Sequence, residues 1–357
     1  MTNKLKSGCG GPIVEGDHSL QNLLKKIGKG PKLAKDLSRE EAKAAMLQIL
    51  DGEALPEQIG AFLIAERIKY ESVEETTGFV EALRERSSLI QTDLPKLLEL
   101  ASAHDGKNKS LVLTPFVALA LATAGLPTVV TGADNVPTKK GICAAHIFSK
   151  LGIKTNHSAK EIKQSLEKTG IAYWDTSQFC ASLENLKPMR TNLGLRTGLN
   201  TVEKIINPAN ATHLCTGVFH GPYLQTVVYA CQILNYQNVL SIQATEASTD
   251  LHLKKRCFFR QLKEGAVSEQ NEIDPALYGY TYKNNPEFKE ITAKSNTDQV
   301  LAALENQSGI IYDALVYNVA VQLWFTETVS KLDDGIKKAK TLLTTNNILQ
   351  KIEEMKR

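Results

Sequence analysis

Apolar residues in the first part of the chain recur at helical spacing. In REEAKAAMLQIL, Ala42, Ala45, Met46 and Ile49 share one face, the pattern of an amphipathic helix. Start signals agree with it. Ser38 and Glu41 form a capping-box pair, Ser72 and Glu75 form a second, and Pro56 precedes IGAFLIAERIKY where a first helical turn tolerates proline. A bundle of three or four helices is therefore expected up to about residue 90. Beyond Pro95 the pattern changes. Leu111 to Gly125 is apolar on most faces, as in a buried helix, and LPTVVTG reads as a short buried parallel strand. A further helix is expected from roughly Gly141 to Leu151, with Gly152 closing it. THLCTGVF and NVLSIQAT read as strands on either side of a helix, GPYLQTVVYACQILNY, which is the βαβ alternation of a parallel sheet covered by helices. The C-terminal stretch is helical, with Asn318 to Phe325 apolar and KLDDGIKKAKTLL amphipathic. The expected fold class is α/β: a small N-terminal helical bundle plus a larger α/β domain with a central, mostly parallel sheet flanked by helices.

Composition narrows the function classes. The chain has 357 residues, 42% hydrophobic and 23% charged, enough for two domains or one large unit. Its 42 basic and 39 acidic residues leave a net charge of +3, so any nucleic-acid affinity must come from a local cluster. Cys9, Cys143, Cys180, Cys215, Cys231 and Cys257 form no C-x-x-C pair and read as thiols of a reducing compartment. The N-terminus has no apolar core of a signal peptide, and the apolar run from Leu111 to Val130 is interrupted by prolines and polar residues. A cytoplasmic protein with no membrane partner is expected.

Four segments in order, LSREEAKAAMLQILDGEALPEQIGAFLIAERIKYESVEETTGFVEALRE, ALATAGLPTVVTGADNVPTKKGICAAHIFSKLGI, MRTNLGLRTGLNTVEKIINPAN and YNVAVQLWFTETVSKLDDGIKKAKTLL, resemble the anthranilate phosphoribosyltransferase family, also called glycosyltransferase family 3. Residues 1–16, with four glycines and a proline, are expected to be flexible, and the resemblance implies a helical domain at 17–92, joined by helices from about 158–190. It implies an α/β domain at 95–357, a hinge-cleft active site and a homodimer. The family moves a ribosyl 5-phosphate from phosphoribosyl pyrophosphate to an amine or ring nitrogen. Such chemistry calls for glycine-rich backbone close to the phosphates, carboxylates holding Mg²⁺ on the pyrophosphate, and exclusion of water.

Against that pattern, the stretch at the family's glycine-rich donor loop is ASAHDGKNKS. It keeps Asp105 and Gly106 and gains Lys107 and Lys109, but lacks the other glycines that let a backbone approach a phosphate. Thr114 is the remaining hydroxyl at the next helix start, and Gly132 remains in a loop whose basic residues and histidine are gone. Thr138 and Lys139 match a Ser-Lys pair, and Arg190 matches an arginine that faces the acceptor's carboxylate. Arg196, Asn200 and Asn207 either contact ligand or brace the loop. The metal-binding acidic pair is replaced by Glu246 and Asp250, which are not adjacent. His104 reads as a loop histidine in preference to a general base.

Two basic clusters remain. Lys254, Lys255, Arg256, Arg260 and Lys263 interleave with Phe258 and Phe259. This stretch is either a nucleic-acid contact or a strand with its phenylalanines inward and its charges outward. Lys25, Lys26, Lys29, Lys32 and Lys35 form the second cluster. The degenerate donor loop and the basic clusters point first to a paralogue that binds nucleic acid without sequence preference. The alternative is a pentosyl or phosphoribosyl transferase acting with Mg²⁺ on an unidentified acceptor, and tryptophan-pathway activity ranks last. The ligand is accordingly a phosphorylated small molecule or a nucleic acid.

Overall fold

A computed structural model describes residues 18–30 and 32–356, so the expectation for residues 1–16 lies outside the described part. The N-terminal helices are α1 (Leu20–Ile27), α2 (Arg39–Leu50), α3 (Pro56–Lys69) and α4 (Val73–Glu85). Both capping boxes form: the Ser38 and Ser72 hydroxyls accept from the amides of Glu41 and Glu75, whose carboxylates accept in return from the cap amides. The apolar faces bury Ala42, Ala45, Met46, Ile49 and Phe62, with Phe62 set edge-on to Phe79 at 5.9 Å.

The larger part continues with β1 (Leu98–Ala101), α5 (Thr114–Thr123), β2 (Thr128–Gly132), α6 (Ala144–Lys150), α7 (Ala159–Thr169), β3 (Ile171–Asp175) and the short helices α8 (Thr176–Phe179), α9 (Ala181–Asn185), α10 (Lys187–Leu193) and α11 (Leu199–Val202). After these come β4 (His213–Val218), α12 (Pro222–Ile233), β5 (Asn238–Gln243), β6 (Cys257–Lys263), β7 (Ala266–Val267) and β8 (Asn271–Ile273). The chain closes with α13 (Ala293–Asn306), α14 (Ile310–Phe325), α15 (Leu332–Leu342) and α16 (Thr345–Met355). The sheet order is β3-β2-β1-β4-β5-β6-β7, with β8 also paired to β6. The pairs from β3 to β5 are parallel, and β6 joins β5, β7 and β8 antiparallel. The mostly parallel sheet flanked by helices is the expected fold.

Residues alternate across this sheet into two apolar layers. Leu98, Leu100, Val130, Cys215 and Leu240 face a layer with α5, α6 and α13–α16. Ala101, Val129, Leu214 and Val239 face the opposite layer, which also contains the N-terminal helices and α12. Phe179, Leu183 and Leu186 from α8–α10 belong to that second layer, and α10 touches α3. Helix α5 carries no polar face because it is buried all round, between the sheet and α14–α16. No described helix is long and apolar enough to cross a membrane.

The order of strands decides where a ligand can sit. β1 leads away to β2 on one side, and β4 lies on its other side. The connections leaving the C-terminal ends of β1 and β4 therefore diverge, opening a crevice at the edge of the sheet, the usual ligand position in open α/β sheets.

Candidate active site

Residues 102–110, which leave β1, form a tightly braced loop. Gly106 has φ +73°, and a Cβ there would lie 2.3 Å from the backbone of Gly141, so only glycine meets both demands. Backbone bonds between Lys107 and Ile142 (2.8 and 3.0 Å) complete that junction. The Lys107 side chain turns inward, in place of the phosphate-facing position its sequence suggested. Its Nζ donates to Asp250 Oδ2 at 2.6 Å and to the Leu111 carbonyl at 2.8 Å. Asp250 also accepts from the Leu113 amide (3.1 Å) and the Thr114 hydroxyl (2.9 Å). Thr114 is thus part of this buried network, and Asp250 is engaged by protein donors on both oxygens. Lys109 is exposed.

The other acidic candidate, Glu246, reaches the outer side of the same loop. Its carboxylate accepts from the amides of Asn108 (3.0 Å), Lys109 (3.2 Å) and Ser110 (3.0 Å), and from the Ser110 hydroxyl (2.9 Å). Two successive left-handed residues, Glu246 (φ 51°) and Ala247 (φ 61°), make the turn that aims it there. Burial raises the pKa of this carboxyl, but the amides of Asn108 and Ser110 together with Lys139 more than offset it, holding the carboxyl near about 2. The loop thus directs a nest of amides at an anion, and the anion is the chain's own carboxylate. Lys139 lies 3.4 Å from Glu246 and 3.6 Å from Asp105, and burial lowers its pKa despite both carboxylates. Thr138 is exposed, and Gly132 is packed at the end of β2 against Ser102 and Tyr173.

Below the loop lies a cleft of about 220 Å³, lined among others by Arg67 and Tyr70 near the end of α3, His104 and Asp105 after β1, and Arg196 and Lys204. Asp105 accepts from Arg196 Nε at 2.7 Å and also from its Nη2. Arg190, expected to face an acceptor carboxylate, is buried and forms a two-pronged pair with Glu203 at 2.8 and 3.2 Å. Burial pushes the Glu203 carboxyl up, but Arg190 outweighs it and leaves the pKa below the ordinary value. Lys204 is buried, donates to the carbonyls of Gly217 and Ala247, and is brought down to about 8 by desolvation. Asn200 Nδ2 donates to the Pro137 carbonyl and Asn207 Nδ2 to that of Ala211, so both brace backbone.

Residues 21–87 match the helical bundle domain of the glycosyl transferase family, and residues 105–348 match its a/b domain. The chain belongs to this glycosyl transferase family. It is 27% identical to an anthranilate phosphoribosyltransferase of Thermoanaerobacter sp. (strain X514), over 94% of this chain and 97% of that protein. It is also 27% identical to one from Methanosarcina acetivorans, over 94% and 89%. Among solved structures, anthranilate phosphoribosyltransferase from Thermus thermophilus superposes with a TM-score of 0.77 at 20% identity, covering 93% of this chain and 97% of that one. The Saccharomyces cerevisiae enzyme in complex with PRPP and Mg gives 0.79 at 17% identity, covering 95% and 97%. At these identities the superpositions show the shared fold.

Within this glycosyl transferase chain the basic stretch at 254–263 is strand β6 and the loop before it. Phe259 is buried against Trp324, and Phe258 is half-buried under the Arg256 guanidinium at 5.5 Å. Arg256 pairs with Glu272 at 3.0 Å, Arg260 donates to the Ser268 carbonyl at 2.9 Å, and Lys263 pairs with Glu327. Three of the five basic candidates are thus engaged by the protein, and Lys254 and Lys255 remain exposed. In the second cluster, Lys26 pairs with Glu41 at 2.5 Å.

The residues present do not offer Mg²⁺ the expected carboxylate pair, since Glu246 and Asp250 both already accept from protein donors. Another cluster arises from a Cys-x-x-His spacing that sequence reasoning missed: Asp134, Cys143 and His146 bring ligand atoms within 4.8 Å of one another. Its geometry is a helix cap. The Cys143 amide donates to His146 Nδ1 (3.2 Å), which leaves Nε2 as the N–H side, facing Asp134 at 2.8 Å. Burial raises the Cys143 thiol to about 12. Glu203 and Lys204 were also missed, because charged neighbours in NTVEKIINP carry no periodic signal of burial.

Proposed function

We propose that this chain binds a phosphorylated pentose in the cleft after β1 and acts as a pentosyl or phosphoribosyl transferase toward an acceptor other than anthranilate. The observation carrying this reading is the closed Arg190–Glu203 pair: the guanidinium that would meet an acceptor carboxylate already has a carboxylate partner of this chain. The phosphoribosyl half of the reading is supported by the curated relatives, named anthranilate phosphoribosyltransferases, and by the yeast neighbour in complex with PRPP and Mg. Arg67, Arg196 and Lys204 supply positive charge to the cleft. A phosphate entering the amide nest of residues 108–110 must compete with Glu246, and no step runs through Mg²⁺ because the expected carboxylates are committed elsewhere. A homodimer, as the resemblance implies, is part of the same reading.

Calorimetry with phosphoribosyl pyrophosphate, with and without MgCl₂, tests this reading. Measurable binding is expected, tightened about tenfold in Glu246→Ala, the equivalent of one charge-assisted hydrogen bond released from competition. No heat at millimolar ligand in either protein would count against it.

A second reading, nucleic-acid binding, rests on Lys254 and Lys255, exposed side by side before β6. If Lys254 and Lys255 alone carry the contact, titration of a labelled single strand against salt should give a slope of only about −1 to −2 on logarithmic axes. No binding at low salt would end this reading.

A further inference from the structure

Two residues lining the cleft each carry a buried polar atom with no hydrogen-bond partner among the described residues: His104 at Nε2 and Thr197 at Oγ1. Their side chains belong to residues only 2% and 7% exposed. Leaving such an atom unpaired costs about 1–3 kcal/mol, so an unpaired pair in one cleft points to a ligand group that satisfies them.

The orientation of His104 defines what that group must be. Its Nδ1 lies 3.0 Å from the Ser102 carbonyl oxygen, which can only accept, so Nδ1 carries the proton and Nε2 presents a lone pair. Desolvation lowers the pKa of the ring and keeps it neutral, and therefore an acceptor. Thr197 is held by its backbone amide on Asn200 Oδ1 (3.1 Å), which leaves its hydroxyl free to rotate toward a ligand. The cations lining the cleft are already engaged: Arg67 on the Arg196 carbonyl, Arg196 on Asp105, and Lys204 on two carbonyls. The cleft therefore has an acceptor in want of a donor, while its cations have acceptors. Tyr70 and Phe219, 68% and 54% exposed, line the same cleft and add aromatic surface that a flat ligand can use.

We propose that the cleft contains a subsite for a neutral hydrogen-bond donor on a planar ligand, a carboxamide N–H, read by His104 Nε2 with Thr197 Oγ1 as a second polar contact. The proposal rests on the transferase reading for the identity of this ligand as the acceptor. It makes His104 a specificity-determining residue, one that selects a donor group where a carboxylate would bring only acceptors.

The test compares 2-aminobenzamide with anthranilate by calorimetry on the full chain. The two share ring and amine, and differ in a carboxamide that donates against a carboxylate that does not. The carboxamide is expected to bind at least about tenfold more tightly, the effect of one hydrogen bond. His104→Ala should remove that preference, and His104→Gln, which restores an acceptor oxygen, should recover part of it. Thermal unfolding of each variant reports its fold, and if His104→Ala does not fold, the wild-type preference and His104→Gln decide. Equal or tighter binding of anthranilate, or an unchanged preference in a folded His104→Ala, overturns the proposal. Heat with phosphoribosyl pyrophosphate but none with 2-aminobenzamide would overturn the subsite and leave the transferase reading standing. Heat with 2-aminobenzamide but none with phosphoribosyl pyrophosphate would support the subsite and remove the transferase reading.

Discussion

Asp250→Ala is expected to destabilise the protein by about 3–5 kcal/mol, the usual cost of stripping one partner from a buried ion pair. The side chains of Lys107 and Asp250 are 1% and 4% exposed, and the pair closes at 2.6 Å. Asp250 also takes the Leu113 amide and the Thr114 hydroxyl, so its loss would strand an ammonium, an amide and a hydroxyl in the interior at the start of α5. Lys107→Met combined with Asp250→Leu removes both charges and should recover a large part of the loss, because no uncompensated ion remains. Urea unfolding midpoints of the wild type and the two variants measure this. A single variant as stable as the wild type would mean that the Asp250 carboxylate is not a structural partner of Lys107, and would reopen it as a metal ligand.

Arg190→Met is the second large effect, again about 3–5 kcal/mol at neutral pH, because it leaves Glu203 buried without its guanidinium. The loss carries a pH signature. In the wild type the folded Glu203 pKa is lowered from 4.5, so its contribution is present above that value and fades as pH falls through the folded pKa. Without Arg190, burial dominates and lifts the folded pKa above the unfolded one. The variant then loses stability as pH rises from 4.5, and the deficit relative to wild type shrinks toward acid. Unfolding midpoints at several pH values measure this. An Arg190 that served only to receive an acceptor would leave stability unchanged at every pH and alter ligand binding alone.

The legible parts of this molecule are those governed by local rules. Ser38–Glu41 and Ser72–Glu75 lie within one helical turn, so the capping boxes were visible as spacing and formed as written. The apolar stretch that became α5 and the strands β2, β4 and β5 were visible because burial on both faces demands runs of apolar residues. Strands β1 and β3 were not marked out. LELA is short and carries Glu99, which is buried and receives the Thr131 hydroxyl at 2.8 Å, a contact made across strands. The basic stretch CFFRQLK forms a strand, with Phe259 and Leu262 inward and Phe258 half-buried.

By itself, the sequence determined the α/β class and most of the order of elements, because periodicity, caps and glycines act over a few residues, and four resembling segments in order pointed to the glycosyl transferase family. It also singled out residues 102–110 and 245–250 as the stretches whose roles the resemblance left open. Only the tertiary structure decided what those residues do. Lys107 and Asp250 are 143 positions apart, and Asn108 and Glu246 138 apart, so neither pairing follows from spacing. A lysine, an arginine and two carboxylates look alike in a list of charges. Burial and the position of the nearest partner turn Lys107, Arg190 and Asp250 into supports, Glu246 into the occupant of its own amide nest, and His104 into the acceptor still waiting for a donor.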